Sequence, residues 1–300
     1  MPETYRSFAK INLHLQIDGR LPDGYHQLRT LFQTVSLHDL ISIEPRAGSG
    51  IELRVPEGGA PEDASNLAYR AAKAILDRWA PDQGVSIELR KRIPAGGGLG
   101  GGSSNAATVL QAVPEILGLE VAAEDLRSVA RALGADVPYF LVGGTALGVG
   151  RGDEIIPLSE LAEQEVLLVD PGVSVSTAEV FAALGPPRPR PLPAGIVDFL
   201  AGAAVRDIAA LDAFNDLERP VLDRFPRVRS VYNALRRAGA SCVRLSGSGA
   251  TVFACFADSR QGGEVEAYLP SDAKVYAVRT MSRAAVRAAR SASDSEGNGL

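Results

Sequence analysis

The sequence predicts a two-domain α+β protein, and three observations carry that expectation. At 300 residues the chain is longer than one small hydrophobic core needs and comfortable for two. Its first half opens on apolar–polar alternation of period two and then mixes further alternating runs with helix-period stripes. Its second half, from about residue 156, reads β-α-β-β-α-β once extra helices are set aside, which is the split βαβ or ferredoxin-like arrangement. The composition, 46% hydrophobic and 22% charged, is that of an ordinary globular protein.

The elements follow in order. Ile11, Leu13, Leu15 and Ile17 alternate with Lys10, Asn12, His14 and Gln16, the pattern of a strand buried on one face, with Lys10, Asn12 and His14 aligned on the other. LPDGYH (21–26) is a turn by its Pro, Asp and Gly, and LRTLFQTV and LISIEP are two further strands. SNLAYRAAKAILDRWA (65–80) opens on capping residues and continues as an amphipathic helix; Val85, Ile87 and Leu89 form a strand that runs into Pro94. Val109, Leu110, Val113, Ile116 and Leu117 recur at helical spacing, with Ser103 or Ser104 as N-cap and a kink or break expected at Pro114. AAEDLRSVARALG (122–134) is a cleaner helix that stops at its glycine.

VLLVD (166–170) opens the second block as a short strand, and STAE (176–179) matches a capping box. GPPRPRPLPAG (185–195) is a loop. Two helices, the strand SCVRL, an SGSG turn, the strand TVFACF, a helix around 260–269 and the strand KVYAVRT complete the block. The expected division is 1–155, 156–285 and a tail, 286–300, with too little apolar surface to order it.

Charge and targeting signals bound the function. A net charge of −5 argues against a protein that coats nucleic acid. No 18-residue apolar stretch or secretory leader is present, so no membrane association and a cytoplasmic location are expected. Cys242 and Cys255 lie in apolar runs without Cys-x-x-Cys spacing and read as buried thiols. No obligate protein partner is inferred.

One stretch stands apart. PAGGGLGGGSSN comprises Pro94, Ala95, Gly96, Gly97, Gly98, Leu99, Gly100, Gly101, Gly102, Ser103, Ser104 and Asn105, with six glycines in seven positions from 96 to 102. A linker would separate domains, whereas this run joins a strand to a helix. Glycines there let backbone N–H groups close around phosphate oxygens at the positive end of the helix, and the serines add hydroxyls. A Walker loop would end in Gly-Lys-Ser/Thr, and no lysine follows. A dinucleotide fold would place its glycines after a first strand, and these come late.

PAGGGLGGGSSNAA resembles the phosphate-binding motif of the GHMP kinase superfamily. AKINLHLQIDGRLPDGYH (9–26) resembles its first motif in the branch acting on a cytidyl substrate, and RLSGSGATVFACF (244–256) resembles its third. LGADVPYFL, VDPGVSVST and FNDLE agree with the same branch, so the similarity runs in order from about residue 7 to 256. It implies a ribosomal-protein-S5-like N-terminal domain beside the ferredoxin-like one. It also implies ATP as co-substrate and phosphorylation of the 2-hydroxyl of a small molecule with a cytidine diphosphate moiety, in the non-mevalonate isoprenoid pathway.

The resemblance assigns Asp136 as catalytic base and Lys10 as the lysine that orients it and neutralises developing charge; by itself Asp136 reads first as a cap of the turn DVP, and the resemblance reverses that reading. It implies Asn12 on the methylerythritol hydroxyls, Tyr25 and His26 at the cytosine, and Thr177 near the substrate, although Thr177 also reads as a helix-starting hydroxyl. Residues 94–104 bind ATP on this reading. Gly247 and Gly249 read either as a turn that lets the third motif pack close to the glycine loop or as purely conformational, and Asn66 either reaches the nucleotide or caps its helix. Mg2+ is expected with ATP; its ligands are left open, since no acidic pair stands out and Ser103 and Ser104 are the hydroxyls at hand.

Overall fold

The structure is a computed structural model that describes residues 2–186, 190–257 and 265–291. The first half contains β1 (Glu3–Arg20), β2 (His26–Arg46), β3 (Gly50–Glu57), α1 (Leu67–Trp79), β4 (Gly84–Arg90), α2 (Gly101–Leu117), α3 (Ala123–Leu133), α4 (Val137–Val142), β5 (Thr145–Val149) and β6 (Glu154–Pro157). The strands form one sheet ordered β3-β4-β2-β5-β6, with β1 along the other edge of β2. The two strands expected after the LPDGYH turn are one continuous strand, β2, long enough to pair with β4 at one end and β5 at the other.

Helices α1 to α4 cover one face of this sheet. Ala68, Ala71, Ala72, Ile75 and Leu76 of α1 pack with Ala106, Val109, Leu110 and Val113 of α2 over Ile41, Ile43, Val85 and Ile87. Helix α2 starts earlier than expected: Gly100 is its N-cap at φ 70°, without a side-chain cap bond, and both serines lie inside it. Pro114 causes no break, and the helix continues to Leu117. The proline falls in the last turn, where its missing N–H removes little of the ladder.

The second half contains β7 (Glu165–Asp170), α5 (Thr177–Ala182), α6 (Ala194–Leu200), α7 (Glu218–Arg224), α8 (Pro226–Arg237), β8 (Cys242–Leu245), β9 (Val252–Cys255), β10 (Lys274–Arg279) and α9 (Arg283–Ala289). The sheet order β10-β7-β9-β8, antiparallel throughout, is the ferredoxin-like order that the pattern predicts. Of the helix expected around 260–269, residues 260–264 lie outside the described residues, and Val265–Tyr268 is a 3-10 turn. Cys242 and Cys255 are buried and free, opposite one another across β8 and β9. Among the described residues no helix is long and apolar enough to cross a membrane.

Two expectations need correction. The strand over the 155/156 division, β6, belongs to the first sheet. The tail expected from 286 is ordered at its start. Helix α9 returns to the first half, Arg6 N donates to Arg290 O at 2.7 Å and Ser291 bridges to Tyr5; residues 292–300 lie outside the described residues. Backbone bonds and Arg283, which donates to the carbonyls of Thr145 and Leu158, hold this segment in place of an apolar stripe.

A register slip between Asn12 and His14 decides what β1 presents. Lys10 stands opposite Thr34 and Asn12 opposite Phe32, but His14 stands opposite Leu31. One extra residue in a strand moves everything after it to the other face. His14 therefore leaves the face shared by Lys10 and Asn12, where alternation had put it, and packs fully buried against Phe214 with ring centroids 4.4 Å apart.

Burial pushes the His14 imidazole down to about 4 from its ordinary 6.5. The folded chain resists a proton that the unfolded chain accepts. His14 thus costs nothing above pH 6.5 and destabilises progressively as pH falls toward 4, by about 3 kcal/mol in all. Urea unfolding of wild type and His14→Gln across this range tests it: the variant is expected to lack this part of the acid sensitivity, and parallel pH profiles would contradict the assignment.

Candidate active site

The site grows from the free edge of β1. Lys10 N donates to Leu99 O at 3.0 Å, which ties the glycine loop to the strand. Leu99 is 1% exposed and anchors the loop in the core between the two sheets, so the one side chain inside the glycine run has a structural purpose. Loop carbonyls are also held from the SGSG side: Thr251 N donates to Gly97 O at 3.1 Å and Ser246 Oγ to Gly98 O at 2.9 Å.

Close approach explains the glycines. Gly98 has φ +76°, and a Cβ there would lie 2.0 Å from Ser246 O; a Cβ on Gly100, at φ +70°, would lie 2.7 Å from the Phe140 ring and 3.2 Å from Lys10 Cε. The loop ends on an α2 N-terminus with no acidic residue in its first turn and no side-chain cap. A helix start left without a side-chain cap keeps unpaired amides and a partial positive charge, which favour an anion.

The serines divide. Ser104 is buried; its hydroxyl donates to Phe8 O at 2.6 Å and accepts from Ser7 Oγ at 2.7 Å, so it is turned into the protein and away from the phosphate or metal role expected of it. Ser103 is half-buried and makes no side-chain hydrogen bond to described residues.

Lys10, 3% exposed, lies at the centre. Its ammonium donates to Asn12 Oδ1 at 2.5 Å and pairs with Asp136 Oδ2 at 3.4 Å. A Cβ on Gly247 would sit 3.4 Å from Lys10 Nζ, so the third motif reaches the same point. Asp136 occupies the N-cap position of α4 yet makes no capping hydrogen bond, which removes the turn-cap reading. Asn12, 3% exposed, is occupied by Lys10 and by Thr30, to which its Nδ2 donates at 2.7 Å; its hydrogen bonds serve the lysine before any substrate hydroxyl. Asn66 caps α1 through Ala68 N at 2.9 Å and donates to Pro61 O at 2.7 Å, so both ends of its amide are used locally.

The remaining residues lead away from Lys10 along α5. Ser176 caps that helix, leaving the Thr177 hydroxyl to meet Ser248 Oγ of the SGSG turn at 2.7 Å. One turn further, about 6 Å along the axis, Phe181 lies 4.8 Å from the His26 ring. Tyr25 is 60% exposed, with Arg151 4.2 Å above its ring and also paired with Asp23. A cavity of about 520 Å3 opens beside His26, lined further by Arg190, Asn215 and Asp216. The structure thus brings Lys10, Asp136, Thr177, His26 and Tyr25 into one elongated arrangement beside the glycine loop. Burial lowers the His26 imidazole below its ordinary range.

Sequence reasoning missed a buried network beneath the loop. Asp39, 0% exposed, pairs with Lys91 and accepts from Arg92 N, Ile93 N and Asn105 Nδ2 at 2.7, 2.9 and 2.9 Å. Lys91 also donates to Asn105 Oδ1 at 2.9 Å. The backbone entering the loop is therefore held by a carboxylate 52 residues upstream of its lysine partner, a separation with no local signal. Phe181 and Arg151 were also missed; an aromatic and an arginine at unrelated positions carry no motif.

Family models match in both halves: GHMP kinases N terminal domain over residues 66–144, and GHMP kinases C terminal over 199–274. The chain belongs to the GHMP kinase family. As such it is a small-molecule phosphotransferase with ATP as co-substrate. This GHMP kinase is 39% identical over 263 residues to 4-diphosphocytidyl-2-C-methyl-D-erythritol kinase of Solibacter usitatus, covering 84% of this chain and 81% of the relative. It is 38% identical over 283 residues to the protein of the same name from Geobacter metallireducens, covering 93% and 98%. A solved 4-(cytidine 5'-diphospho)-2C-methyl-D-erythritol kinase superposes with TM-score 0.77 at 35% identity, over 92% of this chain and 98% of that one. Homoserine kinase from Cytophaga hutchinsonii, at 20% identity and TM-score 0.69 over 94% and 96% of the two chains, shares the fold.

The glycine geometry of this kinase separates two substitutions. Gly98→Ala puts a methyl group into a backbone carbonyl at positive φ and is expected to destabilise by at least about 2 kcal/mol. Gly102→Ala meets only Leu67, at 3.7 Å, and is expected to be nearly neutral. Urea midpoints of the pair check this; equal midpoints would contradict the loop geometry.

Proposed function

We propose that this kinase transfers the γ-phosphoryl group of ATP to the 2-hydroxyl of 4-(cytidine 5'-diphospho)-2-C-methyl-D-erythritol. The observation that carries the reading is the Asp136 carboxylate, free of its helix and 3.4 Å from Lys10, at one end of an arrangement whose other end holds Tyr25, His26 and Phe181. A substrate with a hydroxyl at one end and a nucleobase at the other fits that layout. The names of the relatives agree with it.

In this mechanism the glycine loop and the α2 N-terminus hold the triphosphate through backbone amides. The Lys10 ammonium keeps the Asp136 carboxylate in position and faces the charge on the transferring group. Asp136 takes the hydroxyl proton as the new O–P bond forms and the bond to ADP breaks; a loose transition state demands little deprotonation beforehand. The base stacks on Tyr25, a contact worth about 1–3 kcal/mol, with His26 on its polar edge.

Mg2+ supplies charge neutralisation on the phosphates. Among the described residues no group of three or more His, Cys, Asp or Glu side chains is arranged to hold a metal. When bound with ATP, the ion would have Ser103 and Asp136 as the protein oxygens to hold it.

Asp136→Asn is expected to lower kcat at least about 100-fold with the dissociation constant for ATP within a few-fold. Retained turnover would remove the base assignment. Tyr25→Ala is expected to raise KM for the cytidyl substrate about 10-fold or more while that for ATP stays constant; equal losses for both would count against stacking. Coupled ADP-release assays should show turnover with the cytidyl substrate and none with homoserine or mevalonate. The reverse preference would overturn the substrate reading and leave the fold and family standing.

A further inference from the structure

We infer that Thr30 is a positioning residue for phosphoryl transfer: it fixes the orientation of the Asn12 amide and, through it, the Lys10 ammonium. The inference rests on the reading of Lys10 and Asp136 as the catalytic pair. It follows from counting donors and acceptors along one buried chain. Thr30, 1% exposed, donates its hydroxyl proton to His14 O at 2.8 Å. With that proton committed, the oxygen can only accept from Asn12, which offers Nδ2 at 2.7 Å. The amide must then turn Oδ1 the other way, to the Lys10 ammonium at 2.5 Å. The opposite orientation would set an NH2 group against an NH3+ group, two donors without an acceptor.

The register slip makes this possible. It places Thr30 opposite Leu15, whereas an unbroken pairing continued from Asn12 and Phe32 would set Thr30 against His14. Across β5 its partner is Gly148, where a Cβ would lie 3.1 Å from the Thr30 methyl carbon. The methyl lies against the glycine and the hydroxyl toward Asn12, in a side chain whose χ1 is already stiff. The polarity of the chain thus runs from a backbone carbonyl of β1, through Thr30 and Asn12, to the lysine that faces Asp136.

Thr30→Val keeps shape and removes the hydroxyl; Thr30→Ser keeps the hydroxyl. Steady-state kinetics of both, alone and combined with Asn12→Ala, form the test. The expected result is kcat at least 10-fold lower for the valine variant with KM for ATP within twofold, and kcat within about threefold of wild type for the serine variant. In the Asn12→Ala background the valine substitution is expected to lower kcat no further, because Thr30 acts through Asn12. Wild-type kcat in the valine variant, a serine variant as slow as valine, or equal effects of valine with and without Asn12 would overturn the proposal. If Asn12→Ala and Lys10→Met both leave kcat unchanged, the reading of the catalytic pair fails with it. If those two are slow and Thr30→Val is not, only the positioning role fails.

Discussion

The arrangement depends on one unpaired strand edge. Strand β1 gives one edge to β2 and keeps the other for the rest of the molecule. That edge takes the glycine loop at Lys10 N, and at Leu15 it takes the segment that carries Asn215 and Asp216. At Arg6 it takes the end of α9. An open edge is a row of unsatisfied donors and acceptors that must find partners. Here the partners are the segments that build the site, so the requirement to satisfy one strand's backbone also sets the geometry around Lys10.

Charge is organised in two tiers around the loop. On one side are the uncapped N-terminus of α2 and Lys10; on the other Asp39 and Lys91 form a buried pair whose remaining capacity is taken up by Asn105 and two backbone amides. A buried pair satisfied this completely is costly to break from one side, by about 3–5 kcal/mol. Its placement suits rigidity better than turnover, since it holds Arg92 and Ile93, the residues that deliver the chain to Pro94. A loop of glycines, which has little side-chain packing of its own, is kept in shape by what it is tied to: Leu99 in the core, Ser246 and Thr251 on one side, and Asp39 below.

Much of this was legible in the sequence because it depends on local rules. The glycine run at a strand-to-helix junction announces a bare backbone before a helix N-terminus, and the second-half pattern announces the ferredoxin-like sheet. The PDGYH turn places Tyr25 and His26 at the hairpin end. What stayed hidden depends on long-range register or on partners far along the chain. A period-two count cannot see the residue inserted between Asn12 and His14, so it keeps His14 on the wrong face. It cannot show that Ser104 is consumed by Phe8 and Ser7, or that Asn12 is consumed by Lys10 and Thr30. Helix α9 escaped because RAAVRAA offers little apolar stripe and is held by backbone bonds and Arg283.

The three motif segments converge on the Lys10 ammonium, a placement that assigns it to the chemical step and not to holding ATP. Single-turnover phosphoryl transfer by Lys10→Met, measured with saturating ATP and cytidyl substrate beside a direct titration of ATP, tests this most directly. The expected transfer rate is lower by at least about 100-fold, with ATP affinity changed by no more than a few-fold. A transfer rate near wild type, or a loss explained entirely by weaker ATP binding, would contradict it.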